Sequence, residues 1–191
     1  EPGFCNLKLT DELDVGNAAS EASHSYSMSG EVGIRMYTSS SYDSCEQGNP
    51  YPTTDDGRAF DGYTSFTVAI DPVNAGVRIR RRANRHTANI QKANVYVDGV
   101  LIPGAPWYIC DLPAPQANAF IDSDFEIPAA YTSAKDRIAI RVEHVSAQPA
   151  NSNNEYYYWV YSYGKTPIVD TPAPTPTPRP KDRVGDEWMV Y

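Results

Sequence analysis

The segment Val95-Tyr96-Val97-Asp98-Gly99-Val100-Leu101-Ile102 constrains this chain more than any other. Two short runs of β-branched and aromatic residues flank an Asp-Gly pair, and Asp-Gly accepts the positive φ angles of a type I′ turn. That reads as a β-hairpin. The same period-2 pattern recurs along the chain. Glu31 to Tyr37 alternates Val32, Ile34 and Met36 against Glu31, Gly33 and Arg35. Thr64 to Ile70 alternates Phe66, Val68 and Ile70 against Ser65, Thr67 and Ala69. Asp71 to Gly76 reads as a turn, and Val77 to Arg82 then sets Val77 and Ile79 against Arg78, Arg80 and Arg82. Arg137 to Val145 and Glu155 to Tyr163 complete the set, and Trp107-Tyr108-Ile109-Cys110 reads as a further strand.

These runs are half polar. They suit antiparallel sheets with one wet face each, not the continuous apolar strands of a parallel sheet. The expected fold is therefore all-β: an antiparallel β-sandwich, of jelly-roll type. Helix signals are weak, the best being Asn17 to His24. The expected organisation is an N-terminal arm over residues 1–30, a sandwich over 31–164, a Pro/Thr-rich linker over 165–180, and a C-terminal tail over 181–191. The linker run Thr171-Pro-Ala-Pro-Thr-Pro-Thr-Pro-Arg-Pro180 cannot join a ladder, because every second amide lacks its proton. It reads as a semi-rigid extended spacer, and Thr171, Thr175 and Thr177 are candidate O-glycosylation sites. The tail is apolar at its end, with Val184, Trp188, Met189, Val190 and Tyr191 as a strand-like docking segment.

Composition narrows the class. The 191 residues include 14 Tyr and 16 Pro but only 5 Phe, a balance typical of extracellular or cell-surface β proteins. The chain opens at Glu1 without an initiator Met and reads as a processed product. The net charge of −8 excludes a general nucleic-acid binder, which needs a basic surface. No apolar run approaches the roughly 18 residues of a membrane-spanning helix. Cys5, Cys45 and Cys110 form no CxxC pair, so zinc and dithiol redox chemistry are not indicated. In an oxidising compartment Cys5–Cys45 is the favoured disulfide. Cys110 then reads as a buried small hydrophobe, or as an intermolecular bridge. No Asn-x-Ser/Thr acceptor occurs.

Chemistry could sit in three places. Arg78, Arg80 and Arg82 share one strand face. They either pair across strands with acids such as Glu126 or Glu143, or recognise a carboxylate or sulfated sugar through the guanidinium fork. In Glu155 to Tyr163, alternation puts Tyr156, Tyr158 and Val160 on one face and Tyr157, Trp159 and Tyr161 on the other. The second aromatic face would meet the chain's own loops, another chain, or the C–H face of a sugar ring. Asp122 and Asp124 could help bind a structural calcium, but two carboxylates fall far short of its six to eight oxygens, so no metal or cofactor is expected. Asp55, Asp56 and Asp61 make no recognisable catalytic pair, and His24, His86 and His144 have no metal spacing.

Four stretches together resemble a bacterial domain family: Gly62 to Val68, Gly76 to Arg82, Gln91 to Gly99, and Asp122 to Pro128. They are similar to a jelly-roll domain of the family that includes glycoside hydrolase family 172, over roughly residues 60–163. The resemblance implies a sandwich of carbohydrate-active ancestry. It assigns no catalytic Glu here, because those enzymes pair two jelly rolls and this chain has room for one. Two readings of function follow. The first is a non-catalytic extracellular structural subunit that self-assembles into a filament or surface layer, its tail docking on a neighbouring copy by β-augmentation. The alternative is a carbohydrate-binding module that takes polysaccharide on its aromatic and Arg face. A glycoside hydrolase-like domain is the third.

Overall fold

The Asp98-Gly99 turn forms as expected, with φ of 49° and 81°. It joins two strands that pair Val97 with Val100 and Tyr96 with Leu101. No atom lies within 4 Å of a Cβ built on Gly99, so only backbone strain opposes a side chain there. Gly99→Ala should therefore cost about 1 kcal/mol in chemical denaturation. An unchanged midpoint would show that the turn does not hold this conformation in solution.

The structure is a computed structural model that describes residues 6–39, 41–43, 53–85, 91–104, 106–110, 119–145 and 152–164. Cys5, Cys45, His86, linker residues Thr171, Thr175 and Thr177, and tail residues Val184, Trp188, Met189, Val190 and Tyr191 lie outside the described residues. The described strands are β1 (Leu7–Asp14), β2 (Ser27–Ser39), β3 (Ser41–Asp43), β4 (Thr53–Ala69), β5 (Asn74–Arg85), β6 (Gln91–Val97), β7 (Val100–Leu101), β8 (Trp107–Cys110), β9 (Ala119–Pro128), β10 (Arg137–His144), β11 (Asn153–Glu155) and β12 (Tyr157–Gly164). Two short helices join them, α1 (Ala18–Ser23) and α2 (Ala129–Thr132). Asn17 caps α1, its Oδ1 accepting from the amides of Ala19 and Ser20 at 3.0 and 3.2 Å.

Two sheets form. One runs β1-β12-β5-β9-β3, antiparallel except for the β3–β9 pair. The other runs β11-β4-β10-β6-β7, with β2 also on β4 and β8 also on β6. The inward faces meet in one core, including Phe66 and Val68 of β4, Val77 and Ile79 of β5, Ile138, Ile140 and Val142 of β10, and Tyr158 and Val160 of β12. This is the all-β, jelly-roll-like sandwich that the alternating runs imply. Each large apolar side chain so enclosed contributes about 1.5–3 kcal/mol.

Residues 7–30, expected as an N-terminal arm, hold β1, α1 and the start of β2. Leu7–Asp14 is a full strand of the first sheet, paired antiparallel with β12 from Leu7 opposite Tyr163 to Asp14 opposite Tyr157. A bulge between Leu9 and Asp11 reverses the side-chain parity, so Leu9 is 44% exposed while Leu13 is fully buried. That reversal hides the alternation.

Candidate functional site

The registers of β1, β12, β5 and β9 lay the expected residues out as a grid. Directly opposed residues share a face of the sheet, so each row crosses four strands. One row is Leu9, Tyr161, Arg78 and Glu126. The next is Glu12, Trp159, Arg80 and Asp124, and the third is Asp14, Tyr157, Arg82 and Asp122. This face points away from the core, because Tyr158 and Val160 between the rings are buried inside the sandwich. Each set shares one face of its strand, as the period-2 pattern requires, and the β12–β5 register makes Tyr157, Trp159 and Tyr161 neighbours of Arg82, Arg80 and Arg78.

The Arg row is paired. Arg78 Nε donates to Glu126 Oε1 at 2.6 Å and its Nη1 lies 3.5 Å from Asp124. Arg80 makes a two-point contact with Asp124, at 2.7 and 3.0 Å, and Arg82 makes one with Asp122, at 3.1 and 3.4 Å. The cross-strand reading with Glu126 therefore holds. Glu143 serves other partners, accepting from Arg141 and from Tyr96 Oη. Asp124 holds Arg80 firmly protonated. The calcium idea for Asp122 and Asp124 meets the same fact, since guanidinium groups occupy both carboxylates. Among the described residues no cluster of three His, Cys, Asp or Glu is placed to hold a metal ion.

The rings are held as well. Tyr157 and Trp159 lie 4.5 Å apart between centroids, tilted 36°. The Arg82 guanidinium sits 4.8 Å from the Trp159 ring, a cation–π contact. Tyr157 Oη donates to Glu12 Oε1 at 3.3 Å, and burial with Glu12 nearby pushes its phenol up to about 12. Asp55, from the start of β4, lies within electrostatic reach of Tyr157, Arg82 and Asp14, and burial pushes it up to about 6. The face is thus a half-buried aromatic strip, with Tyr157 and Trp159 held by their contacts and polar groups on both flanks. Such a surface can hold a flat, hydroxyl-bearing ring: it offers apolar area for C–H groups and fixed donors and acceptors for hydroxyls. The flanking acids Glu12 and Asp14 were not singled out from the sequence. Only the pairing of β1 with β12 puts them there.

Inside the sandwich a second polar group forms. Glu155 is fully buried and accepts from Tyr26 Oη at 2.6 Å, Thr64 Oγ1 at 3.2 Å and Tyr158 Oη at 2.5 Å. Burial raises its carboxyl above the usual range, opposed first by the Arg81 charge and then by the three hydroxyls. Arg81 is also fully buried, with its guanidinium 5.0 Å from the Trp107 ring. None of its three nitrogens closes a hydrogen bond among the described residues. Alternation alone would have turned Arg81 inward, between the outward Arg80 and Arg82.

No protein-family model matches this sequence, and no curated protein matches it. The resemblance to the family of glycoside hydrolase family 172 therefore stands at the level of a β-sandwich. Among solved structures, the fold is similar to the ANX2 ectodomain from Arabidopsis thaliana, at 12% identity and a TM-score of 0.57 over 84% of this chain and 51% of that one. It is equally similar to the ANXUR2 extracellular domain from the same plant, at 13% identity and a TM-score of 0.57 over 84% and 50%. The chain spans about half the length of these ectodomains, and identities this low speak for fold alone. A family 35 carbohydrate binding module from Clostridium thermocellum also matches, over 69% of this chain and 99% of that one, at 10% identity. Its TM-score of 0.39 is too low to build on.

Proposed function

We propose that this sandwich is a non-catalytic, extracellular carbohydrate-binding domain that takes a polysaccharide on the outer face of the β1-β12-β5-β9 sheet. One observation carries the reading: Tyr157, Trp159 and Tyr161 stand in register on the wet face of a strand whose other face already supplies the core. A sandwich strand needs one apolar face, and a second aromatic face has to meet something else. Ion pairs and ring contacts lock the flanking side chains, which lowers the entropy lost when a ligand settles there. The ectodomain likeness supports the extracellular part of the reading as an analogy of fold. Tail docking and self-assembly rest on residues 181–191, outside the described residues, and no described feature favours them.

The test is affinity electrophoresis of the protein through gels holding single polysaccharides, beside Trp159→Ala. Loss of the central ring should weaken retention by at least about tenfold. The circular dichroism spectrum and melting midpoint should stay close to those of the parent, since Trp159 is outside the core. Equal retention of parent and variant on every matrix that binds would remove this face as the site.

A further inference from the structure

Resting on that reading, we infer that the face selects an uncharged, hydroxyl-rich glycan and rejects uronic-acid and sulfated polysaccharides. The three guanidinium groups look at first like anion receptors, and a free Arg row would be one. Here each is already matched. Asp122 closes on Arg82, Asp124 on Arg80, and Glu126 with Asp124 on Arg78. Tyr163 Oη lies 2.9 Å from both oxygens of Glu126, its one proton shared between them, which helps hold that carboxylate beside the row. On the far side of the rings, β1 contributes Glu12 and Asp14.

Among the described residues, three guanidinium groups thus share the face with five carboxylates, and the aromatic and Arg rows together run between two acidic borders. An anionic sugar would have to displace a two-point carboxylate from an Arg and enter a field of its own sign, so attraction and partner exchange both oppose it. A neutral sugar meets neither obstacle. Its hydroxyls both donate and accept. Each Arg–carboxylate pair offers N–H donors and carboxylate lone pairs side by side, so a pair of adjacent hydroxyls can bridge it without breaking it.

The experiment compares retention in gels of galactan, mannan and mixed-linkage glucan with gels of polygalacturonate and chondroitin sulfate, at fixed low salt. The parent should bind at least one neutral polymer, and the acidic ones about tenfold more weakly or not at all. Asp122→Asn with Asp124→Asn frees guanidinium charge and should create retention on polygalacturonate that salt abolishes. The single variant Asp124→Asn should show the same shift to a smaller degree if the double variant does not fold. Tighter retention of the parent on polygalacturonate than on every neutral polymer would overturn the charge inference while leaving a carbohydrate face intact. No retention of parent on any of the five polymers would overturn both.

Discussion

Replacing Arg81 by Met should cost the fold about 3–5 kcal/mol at neutral pH, because it strips Glu155 of a cation that opposes the cost of its burial. Both groups are at 0% exposure, so water cannot compensate for the loss. The effect should also depend on pH, in a direction the environment dictates. Glu155 already has a raised carboxyl pKa in the folded chain, chiefly from burial, with the Arg81 charge pulling it down. A group raised on folding contributes stability that is complete below its unfolded value, and that contribution is lost as pH climbs through the folded value. Without Arg81 the folded value rises further, so at neutral pH the variant must bury either an uncompensated charge or a tightly held proton. As the solution is acidified toward the unfolded carboxylate range, Glu155 becomes neutral in both proteins and the deficit should narrow. Urea denaturation of parent and variant at neutral pH and in mild acid measures this directly. A deficit that is constant across that window would show that Arg81 acts through its volume alone. The double variant Arg81→Met, Glu155→Gln should recover part of the loss, since the two side chains are coupled.

Phe66→Ala should be of similar size for a different reason. Phe66 comes from β4 in one sheet and packs on Tyr158 of β12 in the other, with ring centroids 4.6 Å apart. Removing the ring withdraws apolar contact from both sheets and leaves a cavity that the backbone of two ladders cannot close. About 3–5 kcal/mol is expected, with a melting midpoint lowered by on the order of 10 °C. The Tyr158 hydroxyl also donates to Glu155, so a Tyr158 that shifts into the cavity would loosen the buried acid. A loss under about 1 kcal/mol would mean the sheets collapse onto the gap and the packing here is softer than drawn. The two variants probe independent supports of one interior: a charge pair and a ring pair.

Much of the fold was legible in the chain. Asp98-Gly99 announced its hairpin, and period 2 announced which faces of β4, β5, β10 and β12 turn inward. It also placed Arg78, Arg80 and Arg82 on one face and Tyr157, Trp159 and Tyr161 on another. These are local properties: successive side chains of a strand point in opposite directions whatever the strand pairs with. What the chain did not disclose was adjacency. That the aromatic row and the Arg row are neighbours depends on the register of β12 against β5. That the Arg row is neutralised depends on β9 lying on its other side, opposing Asp122, Asp124 and Glu126 to the three guanidinium groups.

The same division separates the arm from the strand. Leu7 to Asp14 lies about 150 positions from its partner β12, and no short-range pattern encodes a contact across that separation. The bulge after Leu9 moves Leu9 and Leu13 to opposite faces, which erases the alternation that would have marked a strand. Glu12 and Asp14 reach the aromatic face only through that pairing. Arg81 and Glu155 are a parallel case: parity sends Arg81 into the interior, but the acid that answers it comes from a strand more than 70 residues on. Side-chain direction follows from the covalent geometry of an extended backbone and is written residue by residue. Charge balance and burial follow from which strands become neighbours. That choice is made by the packing of two sheets as a whole, and it turned a row of arginines from an anion receptor into one side of a neutralised ladder.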